Sequence, residues 1–177
     1  MKSKFNYWHW FLKGSGGKPG YRRIVNKWIF FHLAIGILLS TFVKIDLATS
    51  AKAVLLPLAG ILIGLSFAWA GNAQALMQSK EIEDLSEHHE GGFVEYVFTY
   101  QTAILAILFT LVFWGLAGLN VFDKWLPKDD YPKIYFVIKT MLFTLSSLTI
   151  RECWHVVMGA QWMLLIQKEI RKRQNKK

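Results

Sequence analysis

The chain has 177 residues, of which 53% are hydrophobic and 15% aromatic but only 19% charged, and its formal net charge is +9. The charged share lies below the roughly 25% of soluble domains, and there are one cysteine and thirteen glycines. These figures exclude a disordered chain, a collagen-like repeat and a disulfide-stapled secreted module, and they make a water-soluble enzyme improbable. The length suits about one domain.

Residues 1–26 read as a basic, aromatic segment without a single acid. Lys4, Lys13, Lys18, Arg22 and Arg23 interleave with Tyr7, Trp8, His9, Trp10 and Phe11. Three readings stand open. The aromatics anchor at lipid headgroups; the segment lies on the membrane as a short amphipathic helix; or it binds single-stranded nucleic acid, cations following phosphates while rings stack on bases. Gly14, Ser15, Gly16, Gly17, Pro19 and Gly20 make a flexible link, as a mobile gate would require.

Four apolar runs follow. Trp28 to Val43 is uncharged and predicts a transmembrane helix over 27–46. Ala51, Lys52 and Ala53 resemble a signal-peptide cleavage site, yet the preceding polar region is 27 residues long, so a retained span is expected. Ala53 to Gly71 predicts a second helix over 53–75. Its Ala53, Pro57, Gly60, Gly64, Ala68, Gly71 and Ala75 recur at three- and four-residue steps on one face. Lipid gives helices no hydrophobic reason to associate, so such a stripe, with its Gly60–Gly64 pair, marks close packing within or between protomers. The bulky Leu55, Leu58, Leu62, Leu65 and Phe67 are left for lipid or other neighbours.

Good helix formers continue from Ala73 to Glu90 before Gly91 and Gly92, so this helix is expected to project about 25 Å into the cytoplasm. The loop 76–93 contains KEIEDLSEHHE, five acids against one lysine. His88 and His89 lie there, but adjacent histidines point to different helix faces, and no metal site is expected.

Tyr96 to Phe122 has no charged residue and predicts a third helix over 94–122. The fourth run, Thr140 to Ile166, is broken only by Arg151 and Glu152 and predicts a helix over 134–167 that also extends into the cytoplasm. Thr140, Thr144, Ser147, Arg151 and His155 form one polar stripe, with Glu152 beside it. Ionisable groups at membrane depth face a bundle interior or a water-filled cavity, so these six are candidate pore-lining or intramembrane polar residues. Neighbours on a helix point about 100° apart, so Arg151 and Glu152 are expected to find partners on other helices, among Asn72, Gln74, Glu95, Tyr96 and Gln101. The last ten residues, 168–177, form a basic tail.

Fourteen lysines and arginines fall on the side of the two tails and loop 76–93, against Lys44, Lys52, Lys124, Lys128 and Lys133 opposite. Both termini are therefore expected in the cytoplasm. The fold class is all-α: four transmembrane helices with the second and fourth extended into the cytoplasm.

No HExxH, GxSxG, P-loop or CxxC motif occurs, and Cys153 sits in an apolar run where thiols are inert; neither catalytic residues nor cofactors are expected. Two function classes remain. One is a homo-oligomeric channel, each protomer contributing one polar stripe around a symmetry axis. The other is a non-conducting membrane sensor or anchor that recruits a cytoplasmic partner protein. A secondary transporter fits less well, for want of an internal repeat.

The basic-aromatic residues 2–23, the GxxxG span and Arg151, Glu152, Cys153, Trp154 and His155 resemble, at the level of architecture, small four-pass effectors of bacterial anti-phage defence. The chain is most similar to the channel subunit of the Hailong system, and next to the membrane subunit of the Kiwa system. The resemblance implies an inner-membrane tetramer whose N-terminal loop, here residues 1–23, shuts an ion path. It further implies that single-stranded DNA from a partner nucleotidyltransferase holds the loop closed, and that release depolarises the cell in abortive infection.

Overall fold

The computed structural model describes residues 6–14, 19–80 and 92–174, without the side chains of residues 77, 92–96 and 174. Every regular element among them is helical: α1 (Tyr7–Lys13), a 3-10 turn (Gly20–Arg23), α2 (Ile29–Phe42), α3 (Leu47–Ser50), a π-helical segment (Ala51–Leu55), α4 (Leu56–Met77), α5 (Gly92–Gly118), α6 (Val121–Trp125) and α7 (Pro132–Gln174). The acidic stretch with His88 and His89 lies outside the described residues.

Among the described residues three helices are long and apolar enough to cross a membrane: Leu47–Leu76, Val97–Gly118 and Pro132–Arg173. The expected span over 27–46 is shorter. Its helix, α2, has 14 residues, about 21 Å at 1.5 Å each, less than a ~30 Å hydrocarbon core. Both ends explain this. Residues 24–28 form turns, with the Asn26 amide donating to the Arg23 carbonyl at 2.8 Å. At the other end Val43 turns extended, and the charged Lys44 and Asp46 follow.

The second helix begins at Leu47, not near 53. Asp46 caps it, accepting from the Thr49 N–H at 2.8 Å, and that bond holds the Asp46 carboxyl below its ordinary pKa. The π-helical segment precedes Pro57, which lacks an N–H and would crowd the carbonyl four residues back. A wider turn, with the Leu56 N–H reaching the Ala51 carbonyl, absorbs the mismatch. Helix α4 ends at Met77, and the expected continuation to Glu90 lies, from residue 81 on, outside the described residues. The Ser79 N–H and hydroxyl both turn back onto the Leu76 carbonyl, at 3.0 and 2.7 Å, and stop it. Helix α7 has 43 residues, about 64 Å, well beyond a bilayer's needs.

The chain divides into two compact units. The first holds the described parts of 1–26, 65–103 and 154–177; the second holds 27–64 and 104–153. In the second unit the core is Leu47, Ala51, Trp114, Ala117, Tyr135, Leu142 and Phe143, with the Trp114 and Phe143 rings edge to face at 5.6 Å. Gly118 lets α5 end close against Leu56 and Ala51. Asn120, left-handed at φ 64°, then turns the chain into α6. In the first unit the buried residues include Trp10, Ala70, Ala73, Phe98, Ala103, Val156, Ala160 and Met163. Many large apolar side chains face outward, among them Phe30, Phe42, Ile61, Phe67, Phe109, Val112, Met141 and Leu165. Such a surface suits hydrocarbon and not water.

Candidate functional site

Two polar or aromatic arrangements stand out, one in each unit. The first is built by the N-terminal segment. Asn6 caps α1, its side chain accepting from the Trp8 and His9 N–H groups at 3.0 and 3.3 Å. Seven residues make barely two turns, too few to hold a helix alone, so packing must hold α1. Trp10 supplies it: the indole is 2% exposed and meets the Phe98 ring of α5 at 5.5 Å. Gly20 forms the floor, where any added Cβ would stand 2.5 Å from the Trp10 ring. Tyr7 adds an edge-on contact with Phe98 at 5.6 Å and a hydroxyl bond to Thr102 at 3.1 Å. The Arg23 guanidinium donates to the Thr99 hydroxyl. The segment expected to be a loose gate is thus seated on the start of α5 on both sides of its glycine link.

The seat divides the sequence-predicted gating residues. Trp10 is inside and Phe11 half-buried, stacked on Tyr7 at 5.8 Å. Trp8, His9, Lys13, Arg22 and Arg23 are exposed, with Trp8 at 65%. Lys4 and Lys18 lie outside the described residues.

The second arrangement lies on α7, in the other unit. Thr140, Thr144 and Ser147 face α2, which runs antiparallel to α7. The His32 Nδ1 lies 2.8 Å from the Ser147 hydroxyl. An added Cβ at Gly36 would meet the Thr144 Oγ1 at 2.1 Å and the Thr140 carbonyl at 2.8 Å. Lys139 closes the ladder, its buried ammonium donating to the carbonyls of Val43 and Ile45, the latter at 3.0 Å. A cation there also offsets the negative end of the α2 dipole. The opposite flank of α7 meets α5 through polar pairs, Thr149 donating to the Thr110 hydroxyl at 2.8 Å and the Trp114 indole to the Ser146 hydroxyl at 2.6 Å.

Arg151 and Glu152 meet each other in spite of their adjacency on the helix. The guanidinium folds along the helix and donates from Nε and Nη2 to the Glu152 Oε1 at 3.0 and 2.7 Å. Long side chains overcome the 100° divergence, and with both groups mostly buried the low dielectric rewards the pairing. Of the expected partners, Asn72, Gln74 and Gln101 are exposed, while the side chains of Glu95 and Tyr96 lie outside the described ones. The Cys153 thiol lies 3.9 Å from the Leu62 carbonyl, and His155 is exposed.

The small-residue stripe looks outward. Ala53, Gly60, Gly64, Ala68 and Gly71 are exposed, and nothing lies within 4 Å of an added Cβ at Gly60, Gly64 or Gly71. The same helix buries Ala59, Ser66, Ala70 and Ala73 instead. Among the described residues nothing covers the stripe at these three glycines.

Sequence reasoning passed over His32, Ser40, Tyr135 and Lys139. His32, Gly36 and Ser40 recur every four residues in the first apolar run, a small-polar stripe that could have been found by the same count applied to the second helix. Among the described residues no three His, Cys, Asp or Glu side chains gather as metal ligands would. No family model, curated protein or solved structure matches the chain.

Proposed function

We propose that this chain is an inner-membrane effector with both termini in the cytoplasm, crossing the bilayer with the three long helices and the short α2. It assembles as a homo-oligomer through the outward small-residue face. Its N-terminal segment is a latch, and its release opens an ion path that depolarises the cell. The observation that supports this reading is the seating of Trp10 over Gly20 and against Phe98. A basic-aromatic segment docked on a long apolar helix, with Trp8, Lys13 and Arg22 left exposed, can be held or freed by a polyanion such as single-stranded DNA.

A second reading is favoured by a different observation. Thr140, Thr144 and Ser147 meet α2 of the same chain, and Arg151 bonds Glu152. A polar stripe occupied in this way suits a non-conducting sensor or anchor whose latch recruits a cytoplasmic partner protein.

Planar-bilayer recording of purified full-length protein and of a variant lacking residues 1–23, with oligomer mass measured in detergent, separates the two. Currents that appear on removing the segment support the latch-controlled channel. Silence in both proteins, with a stable oligomer, ends the conduction reading and leaves the anchor. Oligonucleotide binding by the full-length protein should weaken steeply with salt; a flat response argues against phosphate contacts.

A further inference from the structure

The α2–α7 seam contains two hydroxyls whose hydrogen-bonding capacity the protein itself does not use. Ser40 Oγ and Thr140 Oγ1 are buried with no partner among the described residues, and each residue is only 7% exposed. The register brings them together. Gly36 sits against Thr140 and Thr144, and Val43 is bonded by Lys139. Ser40, one turn beyond Gly36 on the same face, therefore lies at the level of Thr140. Buried polar groups are almost always satisfied, because a hydroxyl taken out of water without a partner destabilises the fold. Two such hydroxyls at one level of one seam call for a shared ligand.

Charge decides the class of that ligand. A cation would stand beside the Lys139 ammonium, next in sequence to Thr140. An anion would gain little from Lys139, whose ammonium is already balanced by the Val43 and Ile45 carbonyls. A small neutral molecule that both donates and accepts fits both neighbours. We propose that the seam binds ordered water bridging the Ser40 and Thr140 hydroxyls, so that α2 is held to α7 partly through solvent. Such waters form two to four hydrogen bonds and are costly to remove. The inference does not depend on whether the protein conducts.

The test uses full-length protein in lipid bilayers. Water-edited solid-state NMR should show magnetisation passing from water to the Thr140 methyl about as fast as to that of the exposed Thr49. Build-up as slow as at the buried Leu142 methyls would overturn the proposal. A double-mutant cycle of Ser40→Ala and Thr140→Val, read by reversible unfolding, gives an independent measure. A bridging water predicts that each single change weakens folding and that the pair costs less than the product of the two by about fivefold. Additive changes, or a gain of stability from either one, would overturn it. Replacing chloride by gluconate should shift neither protein's unfolding midpoint; a halide-dependent midpoint that vanishes in the double variant would show that the ligand is an anion and sink the assignment of water.

Discussion

Gly36→Ala probes the contact on which the whole α2–α7 seam rests. The new methyl would stand 2.1 Å from the Thr144 Oγ1, 2.8 Å from the Thr140 carbonyl oxygen and 3.0 Å from the Thr144 backbone nitrogen. The hydroxyl can swing away, but it then gives up its 2.7 Å bond to the Thr140 carbonyl, a loss of about 1 kcal/mol. The two backbone contacts are relieved only by separating the helices, an overpacking cost of about 1–3 kcal/mol. Alanine regains roughly 1 kcal/mol of helix propensity. The net destabilisation is then about 1–3 kcal/mol, or roughly 3–10 °C in unfolding midpoint for a chain of this size. Thermal unfolding in mild detergent, followed by circular dichroism and size exclusion, reads it directly. Adding Thr144→Ala should restore the hydroxyl part of the loss and leave the backbone part. Gly60→Ala is the control, since nothing lies within 4 Å of its added methyl. If Gly36→Ala is tolerated as well as Gly60→Ala, α2 does not sit on α7 as described.

Other perturbations test the remaining contacts. Gly20→Val drives a side chain into the Trp10 ring, so it and Trp10→Ala should unseat the segment and speed tryptic cleavage at Arg22 and Arg23 and, if the latch controls conduction, depolarise expressing cells; Trp8→Ala, on the exposed face, should do neither. Lys139→Met leaves the Val43 and Ile45 carbonyls without their donor, a loss of about 1–3 kcal/mol that should lower the unfolding midpoint, with Lys139→Arg costing less. Asp46→Ala removes the cap of the second helix at about 0.5–2 kcal/mol. Because the folded Asp46 pKa is lowered by the Thr49 N–H, the wild-type advantage is complete above the unfolded value of about 4 and fades as pH falls through the lower folded one, which a midpoint-versus-pH series checks. Arg151→Ala takes the guanidinium from the mostly buried Glu152 and should cost about 3–5 kcal/mol, seen as loss of monodisperse protein, whereas replacing both by Met and Leu should cost less.

What could be read from the chain, and what could not, follows from the range of each interaction. Apolar run length is a local property, so the three long helices were legible with errors of a few residues at their ends. The end of the second helix was not, because propensity favours continuation through Gln78 and Ser79, and only the back-bonding of Ser79 onto Leu76 stops it. The shortness of α2 likewise depends on Asn26 and Val43, whose conformations no hydropathy window registers.

The site residues divide along the same line. A helical count identifies a stripe but not what covers it, and two stripes of similar period had opposite fates. The one on α7 could face either a bundle interior or a water-filled cavity, and the less conspicuous His32, Gly36 and Ser40 of α2 fit against its Thr140, Thr144 and Ser147. The one on the second helix, the more conspicuous of the two, meets nothing at its glycines among the described residues. The difference is steric. Thr140, Thr144 and Ser147 can bond across a seam only if the facing helix presents small or polar groups in register, which α2 does every four residues. The glycines of the second helix offer a flat surface but no donor or acceptor side chain, so a helix of the same chain gains little by lying there. An identical flat surface from a second copy gains close backbone contact along its whole length. A small-residue stripe therefore predicts a partner, and polar residues in register on another helix of the chain predict that the partner is internal.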